Sequence, residues 1–322
     1  MVRLLSVFVI AVISWTTAGC ITVDVGAGGS GEMYETVVYG ERGPKILMLD
    51  IDGEITDSDA SGVLGWVLSE GTVSRVRDEI ERAEDRDDIA AILLRIDSPG
   101  GSPTASDAVY QQLKKFKQEH GVPVYAQLMS TAASGGYYIA VAADEIFAGP
   151  TTVTGSIGVV MLGLNLSGLM DKIGIENQTL TSGPFKDAGS YLRPMERAER
   201  AQLQSVIDDL YDRFVSVVDE GRPKLDQAAV KKLADGRVYS APQALEAGLV
   251  DEISSLEDTI GAIAGKLGAP DVRVVSYHRR RETPTNIYSR TTVHAPLEIQ
   301  PDTAARLFPR PGFFYLWWPA VR

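Results

Sequence analysis

The chain has 322 residues, of which 44% are hydrophobic and 23% charged, so it can bury a large core and is not disordered by composition. Its formal net charge of −12 provides no basic field to neutralise phosphates, which argues against nucleic acid as a partner. The same charge gives no attraction to an anionic membrane, so any membrane contact needs another anchor.

The N-terminus predicts export. A short basic start is followed by an apolar stretch at residues 4–13, which is too short to span a bilayer. The small residues before Cys20, the one cysteine of the chain, resemble the lipobox of bacterial lipoproteins, although Thr17 stands where that motif usually has Leu. The resemblance implies a signal peptide over residues 1–20, lipidation of Cys20, and a domain held at the cell membrane on its extracytoplasmic side. Plain secretion and an uncleaved anchor are the alternatives.

Beyond Cys20 the chain changes from a glycine-rich segment to alternating strands and helices. Residues 21–43 contain few large apolar side chains and are typical of a flexible tether. Apolar periodicity and Gly or Pro boundaries then predict strands at 46–51, 89–96, 121–128, 145–148 and 178–181, and helices at 72–83, 104–120, 137–143, 166–172 and 196–220. This alternation predicts an α/β domain with a largely parallel sheet.

Ser134 is the first candidate for chemistry. It lies where a predicted strand turns into a predicted helix, and Gly135 and Gly136 follow it. A helix N-terminus offers unpaired N–H groups and a partial positive charge, and glycines let a substrate approach the backbone. The arrangement suits a nucleophilic serine, but a serine that merely caps the helix would have the same local sequence.

A serine nucleophile requires a base, and the three histidines are poorly placed to supply one. His120 ends a predicted helix, whereas His278 and His294 lie in or beside the basic start of the C-terminal tail. Lysine is the alternative, because burial in apolar surroundings lowers a lysine pKa towards the range in which the amine can accept a proton. Lys186 has small and apolar neighbours, although most lysines are solvated surface charges.

Four motifs in order make the hypothesis specific. They resemble the signal peptide peptidase A family of serine proteases, also called protease IV, in its short form, over roughly residues 45 to 265. The motifs are Ser98-Pro99-Gly100-Gly101-Ser102, Ala133-Ser134-Gly135-Gly136-Tyr137-Tyr138, Thr154-Gly155-Ser156-Ile157-Gly158 and Ser182-Gly183-Pro184-Phe185-Lys186.

The resemblance implies a Clp protease/crotonase-like spiral of ββα units and a Ser-Lys dyad. By it, Ser134 is the nucleophile, Lys186 the general base and Ser156 the serine that hydrogen-bonds the lysine. The Gly101 N–H is an oxyanion donor, to which helix geometry adds the Gly135 N–H. The family cleaves remnant signal peptides or other apolar, membrane-proximal peptides, and its short members form homo-oligomeric rings that draw serine and lysine from neighbouring subunits. No cofactor is implied, and the sequence has neither a Cys/His ligand cluster for a metal nor a phosphate-binding glycine loop.

The predicted domain organisation places the peptidase domain at residues 44–277 and a tail with prolines and aromatics at 278–322. The aromatic stretch at 307–318 is expected to dock, either on the peptide-binding surface or at a membrane interface. Two other functions remain open from the sequence: a crotonase-like acyl-CoA enzyme and a catalytically inactive lipoprotein scaffold.

Overall fold

A computed structural model describes residues 33–57, 60–61, 67–279, 283–289 and 312–317 of the chain. The predicted signal peptide and Cys20 lie outside the described residues. No helix in the described ranges is both long enough and apolar enough to cross a bilayer.

The described residues form thirteen strands. They are β1 (Met33–Tyr39), β2 (Lys45–Ile55), β3 (Ala60–Ser61), β4 (Val67–Ser69), β5 (Ile89–Gly101), β6 (Val124–Ala133), β7 (Glu145–Ala148), β8 (Val153–Gly155), β9 (Val160–Met161), β10 (Val238–Ser240), β11 (Glu252–Ile253), β12 (Arg273–Arg279) and β13 (Phe313–Leu316). The main sheet has the order β1-β12-β2-β5-β6-β7-β11, and every neighbouring pair in it is parallel except β1 with β12.

Eight helices lie among the described residues. They are α1 (Thr72–Glu84), α2 (Pro103–His120), α3 (Gly135–Ala140), α4 (Ser167–Ile173), α5 (Arg197–Gly221), α6 (Gln227–Leu233), α7 (Ala241–Glu246) and α8 (Leu256–Lys266). The predicted α/β domain with a largely parallel sheet is therefore confirmed.

The sheet is covered on both faces, which explains its nearly continuous aliphatic strands. In β2, Leu47 and Leu49 belong to one buried cluster, whereas Ile46 and Met48 belong to a second. Successive side chains of a strand point to opposite faces, so both faces of β2 are core. Packing on both faces holds the central strands in place and therefore positions the loops that follow them.

Two predicted strands are longer than their aliphatic runs because each continues through a glycine-containing irregularity. β2 passes Gly53, which has φ +67°, and its register with β5 shifts between Asp52 and Glu54. β5 continues through Pro99 to Gly101, with a register shift against β6 between Ile96 and Ser98. Bulges of this kind re-aim the end of a strand, and here they shape the turn beside Ser134.

Two other assignments need correction. Residues 178–181, predicted as a strand, form none and are exposed. Residues 33–39, predicted as part of the tether, form β1, in which Thr36 hydrogen-bonds buried His278 of β12 at 2.8 Å. The glycine content of residues 21–43 masked this short edge strand, whose pairing partner lies far away in the sequence. The remaining domain bounds stay predictions.

The long helix α5 starts as predicted, and its first turn explains why. Glu196 and Glu199 form a reciprocal capping box, which satisfies backbone N–H groups of the first turn. Apolar side chains form a stripe along one face of α5, in which Phe214 and Val217 are buried whereas Leu203 and Ile207 are only half-buried. The N-terminal half of the stripe is therefore incompletely covered within the chain.

Candidate active site

Ser134 is held in a strained backbone conformation at the junction of β6 and α3. Its φ of +52° and ψ of −115° are unfavourable for a residue with a side chain. Its N–H donates to the Gly155 carbonyl at 2.7 Å, and its carbonyl accepts from the Tyr138 N–H at 2.8 Å. The side chain is 1% exposed, makes no capping hydrogen bond and has no hydrogen-bond partner among the described residues. The helix-capping explanation for this serine is therefore wrong.

The end of β5 forms a glycine turn against the start of α3. Ser98 fixes the turn, because its Oγ donates to the Gly53 carbonyl at 2.6 Å and accepts from the Gly100 N–H at 3.1 Å. A Cβ on Gly135 would lie 3.2 Å from the Gly101 nitrogen and 3.1 Å from the Gly100 Cα. The Gly101 and Gly135 backbones are thus close neighbours, at a helix start where N–H groups lack intrahelical acceptors.

Ser156 lies beside Ser134 because the two serines directly follow paired residues of neighbouring strands. In the parallel pairing of β6 with β8, Ala133 is opposite Gly155, so the next residues are the two serines. Ser156 also has a positive φ, +51°, and its N–H donates to the Arg237 carbonyl at 2.8 Å. It is 7% exposed, and no described residue hydrogen-bonds its hydroxyl group.

Lys186 is placed differently from the other predicted site residues. It is exposed in a series of turns, and its N–H donates to the Gly183 carbonyl at 3.2 Å. No described group hydrogen-bonds or ion-pairs with its amine, and the unpartnered Ser134 Oγ rules out a direct bond between the two. The structure therefore brings Ser134, Ser156, Gly101 and Gly135 together but leaves Lys186 unjoined to them within one chain.

The turn after Lys186 is nevertheless anchored. Arg193 donates to Asp187 at 2.7 Å and also ion-pairs with Glu199 in the first turn of α5. Hydrogen bonding to Arg193 lowers the pKa of Asp187 and of Glu199, so both carboxylates are charged partners of this arginine. The exposed lysine thus extends from a segment tied to a rigid helix.

A packed aromatic cluster lies next to the glycine turn, and sequence analysis missed it. Tyr138 and Phe214 are packed with their ring centroids 4.9 Å apart, and Tyr110 packs on Tyr138 at 5.5 Å. Each ring belongs to a different helix. Their meeting depends on α2, α3 and α5 converging, which local periodicity does not reveal.

Polar contacts hold Tyr138 in this cluster. The Tyr138 hydroxyl donates to Asp107 at 2.5 Å, and Arg213 donates to the same carboxylate at 2.7 Å. Burial by itself would raise the pKa of Asp107, but the bonds from Tyr138 and Arg213 outweigh it and lower that pKa. Burial and the Asp107 charge raise the pKa of Tyr138. The Tyr138 phenol is therefore neutral, and its ring is held in one orientation.

Among the described residues, Glu84, Glu119 and His120 form a cluster with the geometry for a metal ion. Its members lie at the ends of α1 and α2, and Glu119 and His120 are exposed. Exposed acidic groups of this kind are common without an ion, so the cluster indicates no chemistry.

Comparison with known proteins supplies the family. The Peptidase family S49 profile matches residues 116–269, and the Clp protease profile matches residues 63–153. An Enterococcus faecium protein assigned as signal peptide peptidase SppA is 37% identical over 77% of this chain and 72% of its own length. A Synechocystis sp. protein assigned as a protease is 41% identical over 59% of this chain and 68% of its own length.

Protease 4 of Haemophilus influenzae is 33% identical over 67% of this chain, which spans only 34% of that longer protein. The matches confirm both the resemblance carried by the four motifs and the Clp protease-like fold class. The chain belongs to peptidase family S49 and is a peptidase by that membership.

Proposed function

We propose that the chain is a serine endopeptidase in which Ser134 attacks the peptide bond and Lys186 is the general base. The observation that carries the proposal is the state of Ser134. Its backbone is strained, and its buried hydroxyl group has no hydrogen-bond partner among the described residues. It lies next to the neighbouring backbones of Gly101 and Gly135. Backbone strain is kept where surrounding structure enforces it, and it is concentrated at functional sites. A merely structural serine would use its hydroxyl.

The reaction follows from ordinary acyl transfer. The neutral Lys186 amine takes the Ser134 hydroxyl proton as Oγ bonds to the substrate carbonyl carbon, and the Gly101 and Gly135 N–H groups stabilise the resulting oxyanion. Collapse breaks the C–N bond, and the lysine ammonium gives its proton to the leaving amine. Water, deprotonated by the same amine, then releases the acyl group from Ser134. Ser156 orients the amine by accepting a hydrogen bond from it.

The lysine comes from a neighbouring copy of the chain. Lys186 is exposed, its amine has no partner among the described residues, and Ser134 lacks a base. A head-to-tail contact between identical subunits uses two different surfaces, and it closes into a ring when its rotation is a whole fraction of a turn. The incompletely covered half of α5 supports such a contact, because it begins beside the Asp187–Arg193–Glu199 anchor.

Remnant signal peptides or other apolar peptides near the membrane are the proposed substrates, with the enzyme anchored by lipid on Cys20. The Enterococcus faecium relative assigned as signal peptide peptidase supports the substrate class, and the small residues before Cys20 support the anchor. A Cys20→Ser variant should lose membrane association or keep an uncleaved signal. Mass spectrometry of the mature protein with an unmodified Cys20 would reject lipidation.

A fluorophosphonate probe tests the nucleophile directly. The probe should label Ser134, and Ser134→Ala should lose both labelling and turnover of an unfolded protein such as casein. Ser130→Ala is the matched control, because Ser130 is an exposed serine of the same strand. Retained turnover in Ser134→Ala would refute the proposal and leave the acyl-CoA and scaffold alternatives to be tested.

A further inference from the structure

Near its end, β5 loses regular pairing with both of its parallel neighbours in the sheet. Its register with β2 shifts between Asp52 and Glu54, and its register with β6 shifts between Ile96 and Ser98. A shift of this kind leaves backbone groups without their partners in the ladder. The last residues of β5 therefore need other hydrogen bonds to keep a fixed position beside Ser134.

Two consecutive side chains of β5 supply such bonds, one towards each neighbouring strand. Asp97 accepts a hydrogen bond from the Thr131 N–H of β6 at 3.0 Å, which ties β5 to the strand that leads to the proposed nucleophile. Ser98 is fully buried, and its Oγ donates to the Gly53 carbonyl of β2 at 2.6 Å. The same Oγ accepts from the Gly100 N–H at 3.1 Å, so this hydroxyl group also bonds the glycine turn itself.

The peptide unit between Gly100 and Gly101 carries the proposed oxyanion donor, and it is held from both sides. After it, the Ser102 N–H donates to the Ile55 carbonyl at 2.9 Å, a bond between backbone groups. Before it, the Gly100 N–H is bonded by the Ser98 side chain. Glycine has the widest conformational freedom of any residue, and Gly100 uses it with a φ of +103°. The direction of the Gly101 N–H is therefore set by these bonds and not by the glycines themselves.

We propose that Ser98 is a positioning residue of the oxyanion site, whose hydroxyl group holds the Gly101 N–H in the direction that the transition state needs. The inference rests on the proposed function for the roles of Ser134 and Gly101. Oxyanion donors accelerate acyl transfer because they are already oriented when charge develops on the carbonyl oxygen. Without the Ser98 hydroxyl, the buried Gly100 N–H would lose its partner. Rotation of the glycine turn towards another acceptor would then turn the Gly101 N–H away.

Two matched ligands of the full chain separate this role from a purely structural one. A tri-leucine peptide aldehyde forms a tetrahedral adduct, in which Ser134 Oγ bonds to the aldehyde carbon, the serine proton passes to the base and the carbonyl oxygen becomes the oxyanion. The corresponding peptide alcohol has the same side chains and forms no adduct. In titration calorimetry, Ser98→Ala should weaken binding of the aldehyde by about thirtyfold and leave binding of the alcohol within about twofold of the wild type.

A second variant and a control accompany this measurement. Ser98→Cys keeps a side chain of similar shape, but a thiol is a weak donor and a weak acceptor, so its aldehyde affinity should lie between those of the wild type and Ser98→Ala. Ser254→Ala is the matched control, because Ser254 is another buried serine, whose hydroxyl bonds Thr259 of α8 at 2.6 Å. The control should lower the unfolding temperature without changing the ratio of aldehyde to alcohol affinity.

Equal weakening of aldehyde and alcohol binding in Ser98→Ala, or no weakening of either, would refute the positioning role. If Ser98→Ala does not fold, an aldehyde-to-alcohol ratio in Ser98→Cys equal to that of the wild type would refute it instead. Failure of the proposed function has a different signature. If the wild type bound the aldehyde no more tightly than the alcohol, Ser134 would not be the nucleophile, and the role of Ser98 would fail with it.

Discussion

The region around Ser134 and the segment that carries Lys186 are built in opposite ways. We call β5, β6 and α3 the serine region and residues 162–196 the lysine segment. Every residue of α3 is buried, whereas α4 of the lysine segment buries none. Leu180 is 97% exposed, and large apolar side chains are also exposed at Leu164, Leu169, Ile173, Ile175, Phe185 and Leu192.

The difference indicates that one region is complete within the chain and the other is not. Scattered exposed leucines are normal, but a run of them in one segment marks an interaction surface. The lysine segment holds both this surface and the amine that Ser134 lacks. A neighbouring copy of the chain would cover this apolar surface and would supply the amine that Ser134 lacks.

The largest expected effect comes from Lys186→Arg. A guanidinium does not deprotonate, so it cannot act as a base. Peptidase activity should fall at least about a thousandfold, as it does when the base of a serine protease is removed. Lys172→Arg, another exposed lysine of the same segment, is the control. Activity in Lys186→Arg would exclude Lys186 as the base.

A glycine substitution tests the close packing of the serine region. Gly100 has φ +103°, and its Cβ would lie 2.7 Å from the Gly135 nitrogen, a backbone atom that cannot easily move aside. Gly100→Ala should lose activity and destabilise the fold by more than about 2 kcal/mol, since steric overlap adds to the backbone strain. Gly121 has φ +66° and open space, so Gly121→Ala should cost only about 1 kcal/mol. Equal thermal unfolding shifts would contradict this account.

A charge on the lysine segment tests its exposed surface. Leu180 is almost fully exposed, so Leu180→Glu should leave the unfolding temperature of the isolated subunit unchanged while weakening assembly by about tenfold or more. Sedimentation velocity measures the oligomer, and Leu245→Glu, an exposed leucine of α7, is the control. Assembly unaffected by Leu180→Glu would remove this side chain from the interface.

The smallest effect concerns a buried carboxyl group next to β2. Burial raises the pKa of Glu79 from 4.5 to about 7, although Arg75 at 3.1 Å partly opposes the shift. The folded protein therefore holds a proton that the unfolded chain loses, and its stability should decline as pH rises from 4.5 to about 7. Glu79→Gln should flatten this decline, because the amide does not titrate. An unchanged slope of unfolding temperature against pH would contradict the shift.

The sequence predicts the serine region better than the lysine segment, for a physical reason. β5 and β6 are buried on both faces, so their aliphatic runs and glycine boundaries report their structure directly. α2 begins one residue before its predicted start, and Gly121 ends it in the left-handed conformation. The predicted strand at 178–181 failed because its one apolar residue, Leu180, is exposed, and exposure removes the link between periodicity and packing.

Strand pairing between residues far apart in the chain is the second feature that the sequence did not predict. Nothing local to residues 313–316 indicates that they pair with Gly100 and Gly101, which lie over two hundred residues earlier. Aromatic composition predicted only that the tail docks, with the peptide-binding surface and the membrane as alternatives. Likewise, the separation of Lys186 from Ser134 within one chain follows from no local pattern; it was implied only by the resemblance to a family whose rings draw serine and lysine from neighbouring subunits.

A mixing experiment tests the central claim most directly, namely that Ser134 and Lys186 of different chains form one site. Ser134→Ala and Lys186→Ala proteins, each inactive alone, are unfolded, mixed in equal amounts and reassembled. A contact is active only if its serine comes from the Lys186→Ala chain and its lysine from the Ser134→Ala chain. Random mixing makes this roughly a quarter of the contacts in a closed ring. Recovery of about a quarter of wild-type activity is the predicted result. Inactive mixed assemblies, verified to contain both chains by mass spectrometry, would contradict the account.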